Sequence, residues 1–177
     1  MITDLKWWFQ VLSIPDFHRK LLPWGPAQDI GIFVDASTSW GIGIVIAGHW
    51  IAFRLHEDWK VEGWDICWLE TVAVEILIYI LEAMGFANTT ILIHSDNQGT
   101  IGLLSKGCSR NFHINLSVRR AYVVLTSCFI TPELVYIASE NNLADPISRG
   151  ELGSEVTRIT TLFSLPDELR RVFHDAS

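Results

Sequence analysis

The chain has 177 residues with a net charge of −7, and 49% of its residues are hydrophobic. This length predicts one domain with a sizeable core plus extensions, and the acidic balance disfavours a free-standing nucleic-acid-binding protein, since such proteins are usually basic. The sequence contains no apolar run of ~20 residues that predicts a membrane span and no secretory signal. We therefore expect an intracellular protein, of the cytoplasm or nucleus, without a membrane partner. Three widely spaced cysteines fit a reducing compartment and exclude a disulfide framework or a zinc site.

Residues 1–29 are rich in tryptophan and proline, and they predict a short helix followed by an extended arm. Two interpretations of this arm stay open. It packs on the outer face of the domain, or it is a linker from a preceding domain.

Alternating apolar residues and short turns then predict three antiparallel strands, at residues 30–37, 41–46 and 50–56. A long helix over 68–84 follows, because apolar side chains recur there at three- and four-residue steps. Gly85 is the predicted C-terminal cap of this helix.

The remainder of the domain predicts a strand, two helices, a strand and a helix, at residues 90–95, 97–106, 115–129, 133–138 and 142–149. Crossover connections are right-handed, so the first, fourth and fifth strands should run parallel and side by side in a mixed α/β sheet. The predicted domain covers residues 30–150, and residues 151–177 predict a tail with a short amphipathic helix at 167–173.

Four carboxylates fall where this topology brings them to one end of the sheet. Asp35 ends the first strand, Glu70 lies in the first turn of the long helix, Asp96 ends the fourth strand and Asp145 opens the last helix. Ligands bind beyond the strand ends in such sheets. Carboxylates that share a pocket repel one another unless cations are present, and Mg²⁺ or Mn²⁺ is the hard, oxygen-liganded choice. Two such ions about 3.5–4 Å apart can clamp a phosphodiester.

Glu75 competes with Glu70 for the helix position of this predicted site. The two residues are five positions apart and therefore lie on different faces of the helix. We favour Glu70, which is nearer the strand ends, and expect Glu75 to be a solvated or paired helix residue.

Four motifs in the same order resemble the ribonuclease H family over residues 30–150: Asp35-Ala36-Ser37, Glu70 followed by Ala73, Ile93 to Gln98, and Asn141 to Asp145. The run from Asn141 to Arg149 is similar to the version fused behind reverse transcriptase in retroelement polyproteins.

The resemblance implies a ribonuclease H-like five-stranded mixed sheet of order 3-2-1-4-5, flanked by helices. It also implies an endonuclease, a hydrolase that cleaves the RNA strand of an RNA–DNA hybrid with two Mg²⁺ (or Mn²⁺) ions. The partner it implies is a reverse transcriptase domain N-terminal to this one. Its implied catalytic residues and metal ligands are Asp35, Glu70, Asp96 and Asp145, and its implied substrate contacts are Ser37, Gln98, Asn141 and Arg149. For Arg149, pairing with a site carboxylate stays open beside phosphate binding.

Two departures from the family pattern bear on activity. A histidine often precedes the last aspartate of the family, whereas residues 137–140 contain none. Between Gly107 and Pro132 the basic side chains are few, so we expect weak intrinsic binding, since phosphate neutralisation dominates affinity.

Two alternatives remain at the level of function. One is a catalytically silent ribonuclease H-like module that serves as a connection or a protein-interaction surface. The other is a different nuclease of the same fold, an exonuclease or a resolvase. The four carboxylates argue against the first, and Ser37 together with the Asp96-Asn97-Gln98 run favours the hybrid-cutting branch over the second.

Overall fold

The computed structural model of the chain describes residues 2–13 and 25–176. The predicted N-terminal helix is present as α1 (Ile2–Leu12). The extended arm predicted after it, with Pro15, Phe17, Pro23 and Trp24, lies outside the described residues.

A six-stranded mixed sheet forms the centre of the molecule. Its strands are β1 (Ile32–Ala36), β2 (Gly41–Ile46), β3 (His49–Leu55), β4 (Thr89–Ser95), β5 (Ile130–Tyr136) and β6 (Phe173–Asp175). The order is β5-β4-β1-β2-β3-β6. β1, β2 and β3 are antiparallel neighbours, and β1, β4 and β5 run parallel. The expected ribonuclease H-like order 3-2-1-4-5 is therefore confirmed.

The register between β1 and β4 positions the predicted site. Phe33 pairs with His94 in the parallel ladder. Asp35 is two residues beyond Phe33 in β1, and Asp96, the first residue after β4, is two residues beyond His94. The two aspartates therefore lie side by side at the same end of the sheet.

The sheet is covered by helices on both faces. One core contains the inward side chains of β1 and β2 together with α2 (Ile66–Ala83) and α4 (Phe112–Cys128). α3 (Gln98–Lys106) lies between β4 and α4 along the chain. A smaller cluster on the opposite face holds Val45, Trp50 and Ala52 against Ile147 of the short helix α5 (Asp145–Ser148) and against Ala144, the residue before that helix. The helix predicted over 142–149 is thus shorter, and it follows a 3₁₀ turn at Ser139–Asn141.

The C-terminal segment differs from the predicted tail in that it adds a sixth strand to the sheet. After α6 (Asp167–Arg170), β6 pairs antiparallel with β3, with Phe173 opposite Leu55. Leu169, Val172 and Phe173 are buried. A three-residue strand is too short to produce a periodic pattern in the sequence. Its existence follows only from the tertiary structure, in which it pairs with the free edge of β3.

Across residues 2–13 and 25–176, every helix is too short or too polar to cross a lipid bilayer.

Candidate active site

Three of the four predicted carboxylates meet at the end of the sheet where β1 and β4 terminate. One carboxylate oxygen from each of Asp35, Glu70 and Asp96 lies within 4.8 Å of the other two. Asp35 and Glu70 are both 4% exposed, and Asp96 is half-buried.

The N-terminal end of α2 brings Glu70 to this point. Asp65 caps the helix, and its Oδ1 accepts a hydrogen bond from the Trp68 backbone N–H at 2.9 Å. Glu70 lies one turn further along, on the face of α2 that packs against β1.

The carboxylates open into a cavity of about 540 Å³, here called the acidic cleft. Its lining combines acidic, polar and apolar side chains: Asp35, Ala36, Ser37, Thr38, Ile66, Glu70, Asp96, Asn97, Gln98, Tyr136, Asp145 and Arg149. Four carboxylates and one guanidinium therefore face the acidic cleft. Because the carboxylates would repel an anionic ligand, such a ligand could bind there only together with cations.

Burial and mutual repulsion disfavour the ionised forms of the two innermost carboxyl groups. Burial raises the pKa of Asp35 to about 7, the charges of Asp96 and Asp145 add to the shift, and a hydrogen bond from Ser148 opposes it. Burial raises the pKa of Glu70 to about 8, and the charges of Asp35 and Asp96 raise it further.

The donor set fits a divalent cation of the Mg²⁺ or Mn²⁺ type. All three converging ligand atoms are carboxylate oxygens, which such hard ions prefer. Glu70 Oε2 is buried and has no hydrogen-bond partner among the described residues. A buried carboxylate oxygen without a donor is costly, and a coordinated cation offsets that cost.

Asp145 lies in the acidic cleft but outside the group of three. Arg149 holds its carboxylate from one turn along α5, with Nη2 at 2.8 Å from Oδ1 and Nε at 3.1 Å from both oxygens. All four carboxylates thus line the acidic cleft at one end of the sheet, and three of them lie within 4.8 Å of one another. Of the two interpretations left open for Arg149, this conformation shows the pairing with a site carboxylate.

The predicted substrate contacts are divided between the cleft and the surface. Ser37, Gln98 and Arg149 line the acidic cleft. Asn141 is exposed in the 3₁₀ turn and is not among the described residues that form the cleft wall.

Three neighbours of the aspartates were not predicted. Ser139 donates a hydrogen bond to Asp96 Oδ2 at 2.5 Å. The buried Asn142 donates to the Val34 carbonyl oxygen at 3.1 Å and reaches Asp96 Oδ1 at 3.5 Å. Ser148, fully buried, donates to Asp35 Oδ2. Asn142 and Ser148 belong to the Asn141–Arg149 motif, and Ser139 lies two residues before it. The motif therefore indicated this segment, but it does not say which side chains turn inward.

Glu75 is not solvated, contrary to one of the two expectations. Its side chain is fully buried and pairs with Arg120 of α4, with the Arg120 Nε 2.5 Å from Oε1. The other expectation, a paired helix residue, is confirmed, and Glu75 points to the α2–α4 interface.

No protein-family model and no curated protein matches the chain. Among solved structures, the chain is similar to the crystal structure of ribonuclease H1 from the halophilic archaeon Halobacterium salinarum. The two share 16% sequence identity over 71% of this chain and 100% of the archaeal one, with a TM-score of 0.48. At this degree of similarity, function has to be inferred from the acidic cleft and from the motifs that form it.

Proposed function

We propose that the chain is a metal-dependent endonuclease that hydrolyses the RNA strand of RNA–DNA hybrids. The observation that supports this proposal is the convergence of Asp35, Glu70 and Asp96, remote in sequence, with their oxygens within 4.8 Å of one another. The ribonuclease H-like strand order and the four motifs in matching order add to it.

In this proposal Asp35, Glu70 and Asp96 hold two divalent ions, and Asp145 joins them from the cleft wall. Bound divalent ions supply charge stabilisation at the phosphoryl group and a water of lowered pKa as nucleophile. Ser37 and Gln98 provide hydrogen-bonding groups at the cleft wall for the hybrid backbone. Discrimination between RNA and DNA requires a contact to the 2′-hydroxyl, which DNA lacks.

We further propose that the domain works behind a reverse transcriptase domain of a retroelement polyprotein. The support is the Asn141–Arg149 motif, together with the net charge of −7. Phosphate neutralisation by cationic side chains dominates nucleic-acid affinity, so an acidic domain gains from a neighbouring domain that binds the hybrid.

The direct test is cleavage of an end-labelled RNA–DNA hybrid by the purified chain in Mg²⁺ or Mn²⁺ at low salt. We expect cuts in the RNA strand with 3′-hydroxyl and 5′-phosphate ends. Asp96→Asn should lower the rate at least ~10²-fold, because metal-ion catalysis contributes several kcal/mol to the barrier. Asp58→Asn is the matched control, since Asp58 is an exposed loop aspartate outside the cleft, and its rate should equal that of the wild type.

Two other results of this cleavage assay would contradict the proposal. Cleavage of duplex DNA or of single strands in place of the hybrid would indicate another nuclease of this fold. An equal rate for wild type and Asp96→Asn would show that the cleavage does not arise at this site.

The silent module is the second candidate, and one contact favours it. Arg149 forms an ion pair with the carboxylate of Asp145, which is the fourth metal ligand of the proposed site. A permanent ion pair there would leave three carboxylates for metal. Absence of hybrid cleavage at high enzyme concentration in both Mg²⁺ and Mn²⁺ would decide for this candidate.

A further inference from the structure

Ser148 is a buried hydroxyl that contacts the innermost aspartate from the side of the sheet opposite α2. Its side chain is 0% exposed, and its Oγ–H donates to Asp35 Oδ2. Glu70 approaches the same carboxylate group from α2. Asp35 is thus contacted from both faces of the sheet.

A glycine on β2 allows the contact between Ser148 and Asp35. Asp35 is paired with Gly43 in the antiparallel β1–β2 ladder. A Cβ atom on Gly43 would lie 2.5 Å from the Ala144 carbonyl oxygen and 2.5 Å from the Ser148 backbone nitrogen. The backbone of α5 therefore occupies the space that a side chain would fill beside Asp35.

The same hydroxyl also lies next to the backbone of the fourth carboxylate. Ser148 Oγ is 2.9 Å from the carbonyl oxygen of Asp145. Ser148 thereby links β1, which carries Asp35, to the start of α5, which carries Asp145. Ser148 and Asp35 are 113 residues apart in the sequence, so the hydrogen bond between them is a tertiary contact.

A hydrogen bond at Oδ2 restricts the rotation of the Asp35 carboxylate. The terminal torsion of an aspartate is broad and roughly two-fold when nothing holds it. A donor on one oxygen leaves the other oxygen to the acidic cleft. Carboxylates that bind metals are commonly held by such outer hydrogen bonds, and loss of the outer partner typically lowers metal affinity about 10–100-fold.

We propose that Ser148 is a positioning residue for the metal site: its hydroxyl holds Asp35 in the orientation that binds the divalent ion. This inference rests on the proposed function, since it assumes that the three carboxylates bind metal. Ser148 of the Asn141–Arg149 motif would then orient a metal ligand in addition to packing α5 against the sheet.

The test is Mn²⁺ binding to the full chain, measured by isothermal titration calorimetry without nucleic acid. We expect Ser148→Ala to raise the dissociation constant at least ~10-fold. Ser117→Ala is the matched control, because Ser117 is likewise 0% exposed and donates to a buried carboxylate, Glu75 Oε2, at 2.5 Å. That variant should bind Mn²⁺ like the wild type, although it also loses a buried hydrogen bond.

A cysteine variant covers the case in which Ser148→Ala does not fold. Ser148→Cys keeps a side chain of similar shape but offers only a weak donor, so it should also weaken Mn²⁺ binding. Unchanged affinity in the folded Ser148 variant, or an equal loss in Ser117→Ala, would overturn the inference while the proposed metal site stands. A wild-type chain that binds no Mn²⁺ would overturn both.

Discussion

Ionisation of Asp35 and Glu70 costs free energy in the folded chain, because both side chains are 4% exposed and lie beside each other and Asp96. Burial raises the pKa of Asp35 from 3.8 to about 7 and that of Glu70 from 4.5 to about 8. The folded chain therefore retains protons that the unfolded chain has already released. Where the unfolded state binds fewer protons, the free energy of unfolding falls as pH rises.

We predict that the metal-free chain loses stability between about pH 4 and about pH 8, the window set by the two raised pKa values. Mg²⁺ or Mn²⁺ should raise the melting temperature more at the upper end of this window than at the lower end, because the ion binds the deprotonated folded state. Thermal unfolding with and without a chelator, at several pH values, measures both effects.

Glu70→Gln is the control for this prediction. It keeps the shape of the side chain and removes its ionisation, so the decline with pH should be smaller and the gain from metal reduced. If wild type and Glu70→Gln show the same pH dependence, ionisation of Glu70 does not contribute to it.

Helices α2 and α4 are joined by a buried polar network that lies away from the acidic cleft. Both oxygens of Glu75 accept hydrogen bonds from Arg120, and they also accept from Ser117 and Tyr79. The Glu75 side chain is 0% exposed and that of Arg120 is 25% exposed. An isolated charge in such a position is expensive, whereas a complete pair is nearly neutral against apolar replacements.

We predict that Glu75→Gln lowers the free energy of unfolding by about 3 kcal/mol, near the lower end of the range for broken buried pairs because Arg120 keeps some contact with water. Urea denaturation measures the loss. The double variant Glu75→Leu/Arg120→Met should lose less than the sum of Glu75→Leu and Arg120→Met, since it removes both charges together. Additive losses would mean that the two residues stabilise the chain independently.

The C-terminal segment connects the far edge of the sheet to the helix that carries Glu70. β6 extends the sheet beside β3. Phe173 is 2% exposed, and its ring stacks against Trp68, two residues before Glu70, with the ring centroids 6.4 Å apart. The N-terminal end of α2 therefore packs against a segment about a hundred residues later in the chain.

We predict that Phe173→Ala destabilises the chain by about 3–5 kcal/mol, the usual cost of removing a buried phenylalanine ring. Amide hydrogen exchange should accelerate at the start of α2 as well as in β6, because the two share this contact. Leu162→Ala is the matched control, since Leu162 is 96% exposed in the same segment, and its effect should stay within about 0.5 kcal/mol. Protection unchanged at α2 would show that the C-terminal segment is only an added edge strand.

The elements that carry the three converging carboxylates were predictable from the sequence because their patterns are local. Alternating apolar residues mark β1, and a three- and four-residue period marks α2. Parallel pairing of β1 and β4 then brings Asp35 and Asp96 to the same sheet end, whatever the details of packing. Helix geometry placed Glu70 and Glu75 on different faces, and the choice of Glu70 followed from its position nearer the strand ends and from the match of Glu70 and Ala73 to the ribonuclease H motif.

The contacts that complete the site were decided by the tertiary structure. Ser148 touches Asp35 only because Gly43 lets the α5 backbone approach the sheet. The pairing of Asp145 with Arg149 was one of two options open to a helical arginine, and the burial of Glu75 depends on where α4 lies. Local periodicity specifies which face of an element is apolar. It does not specify which polar side chain of a distant segment fills the remaining space, because that choice depends on register, backbone separation and the burial of charge in the folded chain.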